Sequence, residues 1–112
     1  MHEFSIIQNI VDIVKASALK SGVSHVNTVE IEVGQASGVV TEAMQFAWQS
    51  FTNEQLLLHA QLIIREIPLQ LRCNNCKKKF SPKEVYEPCP FCGEFGSEIL
   101  KGRELKVIAI ET

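Results

Sequence analysis

A chain of 112 residues with a net charge of −2 and 46% hydrophobic residues is sized for one compact unit with room for a small satellite. That balance argues against disorder and leaves no global attraction for nucleic acid or acidic membranes. No apolar run approaches the ~20 residues needed to span a bilayer, so no membrane role is expected.

The chain-order pattern begins with residues 4–20, where Ile7, Ile10, Val11, Val14, Ala18 and Leu19 recur at three- and four-residue spacing opposite Gln8, Asp12 and Lys15. This is an amphipathic helix, with Gly22 as a left-handed stop. Residues 26–33 alternate Val29, Ile31 and Val33 with Thr28, Glu30 and Glu32, which predicts a strand with one wet face. Residues 34–38 break the pattern, and Ser37 is a candidate cap for a second helix from Val39 to about Phe51. Its Val40, Met44, Ala47, Trp48 and Phe51 stripe reads as core rather than a cofactor pocket. The segment 55–67 is strand-like over 60–67 and ends before Pro68, while its start is open between strand and helix end. Residues 105–110 form a last strand.

Between these strands, residues 69–100 replace periodic apolar positions with Cys, Lys, Pro and Gly. All four cysteines lie here, as Cys73-Asn74-Asn75-Cys76 and Cys89-Pro90-Phe91-Cys92. Each CxxC presents two sulfurs from one turn, and two such turns close a tetrahedral zinc site. A redox dithiol accounts for one CxxC but not two, and paired disulfides need an oxidising compartment. The N-terminus, with Glu3 early and Asp12 and Lys15 interrupting the apolar pattern, does not read as a signal peptide, so the expected location is cytoplasmic. So small a segment cannot fold on apolar contacts alone; bound zinc supplies the difference, about 10–16 kcal/mol in small peptides.

The fold expected is therefore α/β: two helices on one side of a three-stranded mixed sheet, with an inserted zinc-ribbon-like domain. The domains expected are 1–68 with 101–112, and 69–100. His25 and His59 lack a second ligand at chelate spacing and read as solvated or hydrogen-bonded. Lys77-Lys78-Lys79 reads as a solvated loop, since no aromatic-rich basic sheet surface accompanies it. No Ser/His/Asp order, phosphate-binding loop or paired-carboxylate pattern makes a case for an enzyme.

The chain opens Met1-His2-Glu3. A terminal amine, deprotonated backbone amides and an imidazole chelate one ion in a plane, which suits Ni(II) or Cu(II) and not zinc. This start is followed by Val-Glu-Ile-Glu-Val-Gly at 29–34 and Thr-Glu-Ala-Met-Gln-Phe-Ala-Trp at 41–48. The two CxxC pairs and Gly-Arg-Glu-Leu at 102–105 complete the order. Over essentially its whole length the chain resembles the HypA/HybF family of hydrogenase nickel-incorporation proteins. The resemblance implies a nickel metallochaperone with a structural zinc on Cys73, Cys76, Cys89 and Cys92. Nickel binding falls to Met1 through its amine, His2 through its side chain and backbone amide, and Glu3 through a backbone amide, with its carboxylate tuning the site or facing a partner. The implied partners are a HypB-type GTPase and the large subunit of [NiFe]-hydrogenase; no nucleic acid is expected, and the chain is expected as a monomer or weak homodimer. Glu94 stands where the family usually has Ser, and no histidine adjoins the cysteine pairs, so an all-thiolate structural zinc is expected. The alternative reading is a zinc-ribbon nucleic-acid-binding or adaptor module.

Overall fold

The computed structural model describes residues 2–112; Met1, the expected amine donor, lies outside the described residues. Its elements are α1 (Glu3–Ser21), β1 (Thr28–Gly34), α2 (Thr41–Gln49), β2 (Gln61–Ile67), β3 (Gln70–Cys73), β4 (Lys79–Phe80), β5 (Ser97–Lys101) and β6 (Leu105–Glu111).

Helix α1 buries Ile7, Ile10, Val11, Val14 and Ala18, the face its spacing predicts. Leu19, counted in that stripe, is instead 85% exposed. One residue beyond Ala18, it is turned about 100° off the buried face. The helix stops where Gly22 enters the left-handed region at φ 71°. There Gly22 N–H donates to Leu19 O at 3.3 Å and Val23 N–H to Ala18 O at 2.9 Å, which satisfies the last carbonyls.

Strand β1 buries Val29, Ile31 and Val33. On its other face Glu30 pairs with Arg65 of β2 and Glu32 with Lys106 of β6. The sheet order is β2-β1-β6. Gln61 N–H donates to Asn27 O and Gln35 N–H to Ile67 O, both at 2.9 Å, so β1 and β2 run parallel with α2 in the crossover. Asn27 N–H donates to Glu111 O and Gly34 N–H to Glu104 O, so β6 is antiparallel. The sheet is mixed, as expected.

Helix α2 is shorter than 39–51 and buries Met44, Ala47 and Trp48. Val40 lies just outside it and is 55% exposed. The N-cap position falls at Val40 rather than at Ser37. The Val40 N–H donates instead to the buried carboxylate of Glu3 at 3.0 Å, placing negative charge at the helix's positive end. At the other end, Ser50 and Phe51 N–H groups bond three residues back and tighten the last turn. Phe51 still packs on Phe4, ring centroids 5.3 Å apart. The ambiguous segment after it resolves into a 3₁₀ turn at Gln55–Leu57 and then β2. Side chains of α2 hold that strand: Trp48 Nε1–H donates to Ala60 O and Gln45 Nε2–H to Leu62 O.

The chain divides into two compact units, one of Met1–Glu32, Val39–Arg65 and Lys106–Thr112, the other of Val33–Gly38 and Glu66–Leu105. In the second, β3 lies between β4 and β5, antiparallel to both, with Leu71 opposite Phe80 and Ile99. Its core is Leu69, Leu71, Cys73, Phe80 and Cys89, with Ala36, Cys76 and Ile99 packed against it. Segment 33–38 joins this unit through a close backbone approach. A Cβ on Gly34 would fall 2.1 Å from the Gly102 carbonyl carbon, and Ala36 N–H donates to Gly102 O at 2.7 Å. Glycine is needed at 34 because no side chain fits between the two backbones.

Candidate metal centre

Strand β3 ends at Cys73, which puts the first knuckle at the end of the small sheet. Two turns of the same design then face each other. In the first, Lys77 N–H donates to Cys73 O at 2.9 Å; in the second, Gly93 N–H donates to Cys89 O at 2.8 Å. Both closing residues are left-handed, Lys77 at φ 65° and Gly93 at φ 77°. Each turn also aims a peptide N–H at its first sulfur, Asn75 N–H at Cys73 Sγ and Phe91 N–H at Cys89 Sγ, both at 3.4 Å. Such donors lower the charge on a thiolate and stabilise it.

The four Sγ atoms lie within 4.8 Å of one another. Cys73 and Cys92, and Cys76 and Cys89, stand 3.6 Å apart across the two turns. A tetrahedron with Zn–S bonds of about 2.3 Å has sulfur–sulfur edges of about 3.8 Å, whereas a disulfide needs about 2.05 Å. The donor set therefore fits zinc and not a pair of disulfides. Cys73 and Cys89 are buried, Cys76 half-buried and Cys92 at the surface. The Cys76 N–H, ahead of opposing desolvation, holds the Cys73 thiol below its usual range. At Cys76 the Lys78 N–H pulls down, but burial and the sulfurs of Cys89, Cys73 and Cys92 outweigh it and push the thiol up to about 11. Metal-free sulfurs this close cannot all ionise, and a divalent cation removes the conflict.

Glu94 accepts the Cys89 N–H through its backbone carbonyl at 2.9 Å. Lys78, from the basic run, lies with its ammonium 4.9 Å from the centre of the Phe91 ring. That contact uses one charge of the run within its own unit. His25 is held by Leu58 O, 2.8 Å from its Nε2. His59 occupies a left-handed turn at φ 61° and lines an open groove of about 580 Å³ beside Trp48 and Gln61. Neither joins a metal cluster; the cysteine tetrad is the one group of three or more such side chains that comes together among the described residues.

His2 is exposed and immediately precedes α1, where its side chain makes no capping hydrogen bond. Its carbonyl accepts the Ile6 N–H at 3.0 Å, so the residue is anchored by its backbone. Sequence reasoning missed the Glu3 contact to Val40 and the left-handed Lys77. The signal for Lys77 was the repeat itself, since Gly93 holds the matching place in the second knuckle.

A mixed three-stranded sheet with two helices, and a second unit carrying four clustered thiols, define a small α/β protein with a zinc-type site. Over residues 1–112 the chain matches the family described as hydrogenase/urease nickel incorporation, metallochaperone, HypA. It is 39% identical to hydrogenase maturation factor HypA of Geobacter metallireducens over 99% of this chain and 98% of that one. Against hydrogenase maturation factor HypA of Geotalea daltonii it is 41% identical over 96% of this chain and 94% of that one. The solution structure of the Ni metallochaperone HypA from Helicobacter pylori shares the fold, with a TM-score of 0.66 at 24% identity, covering 99% of this chain and 97% of that one. The chain belongs to the HypA family. No helix among the described residues is long and apolar enough to cross a membrane.

Proposed function

We propose that this chain is a nickel metallochaperone that binds Ni(II) at its N-terminus and delivers it during maturation of [NiFe]-hydrogenase. The observation that carries the reading is the whole-length match to the nickel-incorporation family in a chain whose exposed His2 directly precedes α1. A helix start has backbone N–H groups without intrahelical acceptors. The amides of His2 and Glu3 stand at that start, beside the imidazole. With the Met1 amine they make a nitrogen-rich planar donor set, the geometry that favours Ni(II) over zinc. The buried Glu3 carboxylate, bonded to Val40 N–H, supports the helix entry from which these donors project.

In this reading residues 1–68 and 101–112 handle nickel, and residues 69–100 carry structural zinc on Cys73, Cys76, Cys89 and Cys92. When bound, zinc supplies a rigid closed site with no open position for chemistry, and the chain works as a carrier in the cytoplasm. Nickel is cargo. It enters as protons leave the amides and is released when protonation or a partner's ligands compete. The partners are a HypB-type GTPase and the large subunit of the hydrogenase, met as a monomer or weak homodimer.

The test is nickel titration of the zinc-loaded, untagged chain beside His2→Ala, followed by absorption and calorimetry. The native chain is expected to take up nickel with a planar d–d band, and the variant to lose that band. Equal nickel binding by both chains removes the N-terminal site from the proposal.

A further inference from the structure

The two knuckles match in backbone but not in how their second sulfurs are covered. Cys76 is half-buried and drawn on by the Lys78 N–H. Cys92 is the most exposed residue of the four, and an N–H donor reaches it from the opposite knuckle: Asn75 Nδ2 lies 3.6 Å from Cys92 Sγ. Asn75 thus serves two thiolates, Cys73 with its peptide N–H and Cys92 with its side chain. A contact runs the other way as well, since Lys78 reaches the ring of Phe91, the residue of the second knuckle that corresponds to Asn75. The knuckles are clasped reciprocally, amide onto sulfur in one direction and ammonium onto ring in the other.

We propose that Asn75 is a positioning residue for the zinc site, clasping the exposed Cys92 thiolate and setting how readily that arm is lost. This rests on the zinc reading above and is independent of nickel. Four thiolates around a divalent cation leave excess negative charge on sulfur, and the most exposed sulfur meets electrophiles and competing ligands first. An N–H donor withdraws charge from that sulfur and fixes its direction toward the metal. Cys73 and Cys89 have peptide donors that no side-chain substitution removes. At Cys92 the donor that the structure places is a side chain, so it can be removed without touching the backbone.

The experiment uses the full-length zinc-loaded chain with Asn75→Ala, Asn75→Asp and Asn75→Gln. Zinc release under limiting N-ethylmaleimide is followed with a chromogenic chelator, and peptide mapping identifies the first cysteine modified. Release is expected to be about tenfold faster in Asn75→Ala, within the usual range for losing an outer-shell partner. Asn75→Asp, which puts a carboxylate against the thiolate, should be faster still, and Asn75→Gln, which keeps a donor, near the native rate. Cys92 should be the first residue alkylated. In the Co(II)-substituted protein the sulfur-to-cobalt charge-transfer band should move to lower energy in Asn75→Ala without a change in Tm, which a purely structural role would not produce. Equal release rates for the native chain and all three variants, or first alkylation at Cys76, overturn the inference. If Asn75→Ala retains no zinc, the Gln-against-Asp comparison decides, and equal rates there overturn it too. A native chain that purifies without zinc overturns the zinc reading itself.

Discussion

The first unit buries Ile7, Ile10, Val11, Val14, Val29, Ile31, Met44 and Trp48, enough apolar side chain for two helices and strands to hold one another. The second has Leu69, Leu71 and Phe80, and completes its core with Cys73 and Cys89. At ~25 cal/mol per Å² of apolar surface, a core of three large side chains does not offset the entropy of ordering so irregular a segment. Its cysteines sit where further apolar residues would otherwise be required. The same chain thus contains one unit stabilised by solvent exclusion and one by ligand bonds, and the two should fail under different insults.

The strongest way to separate them is to remove the metal. Stripping the ion with a strong chelator is expected to cost the second unit about 10 kcal/mol and unfold it. The far-UV helical signal of the first unit should persist, and its loss in the same step would show that both units draw on zinc. In the opposite direction, Ile31→Ala empties a fully buried site on β1 and should cost about 4 kcal/mol. Denaturant melts should show that loss in the helical transition, with zinc content unchanged.

Gly34→Ala tests the backbone crossing that draws 33–38 into the second unit. A Cβ there meets the Gly102 backbone, which cannot swing aside like a flexible side chain. The expected cost is about 3 kcal/mol, with faster zinc release as the accompanying sign. Acid acts on the site more gradually. The Cys76 thiol, at about 11 without metal, is protonated at neutral pH, so zinc entry must expel that proton. Zinc affinity should fall about tenfold per pH unit for each proton displaced, measurable by competition between pH 8 and pH 6.

The smallest effect sharpens the likeness between the knuckles. Lys77 holds the left-handed conformation that Gly93 holds in the second turn. Lys77→Gly should relieve about 1 kcal/mol of backbone strain, read as a higher midpoint for the zinc-loaded unit. Lys78 and its contact with Phe91 are untouched by the change.

Much of the first unit was legible without coordinates because its signals are periodic. The spacing of Ile7, Ile10, Val11 and Val14 leaves one helical face to bury, and the alternation of Val29, Ile31 and Val33 leaves one sheet face. The cysteine spacing was legible for another reason: two CxxC turns have few uses besides a closed tetrahedral site. Helix limits were less readable. Val40 and Leu19 fit apolar stripes yet lie in solvent, because a stripe does not reveal where the neighbouring element ends.

What the sequence determined by itself was the local part: which stretches are helix or strand, which face of each is apolar, and which four side chains offer sulfur. Tertiary structure decided which distant residues complete them. It gave the N-terminal end of α2 the Glu3 carboxylate from 37 residues earlier in the chain. It set Gly34 against Gly102, where only bare backbone fits. It laid Asn75 against a sulfur of the other knuckle. Periodicity and turn chemistry act between near neighbours in the chain, so sequence carries them. Contacts between remote segments depend on where the packed elements deliver each backbone, and that is settled only when the cores close.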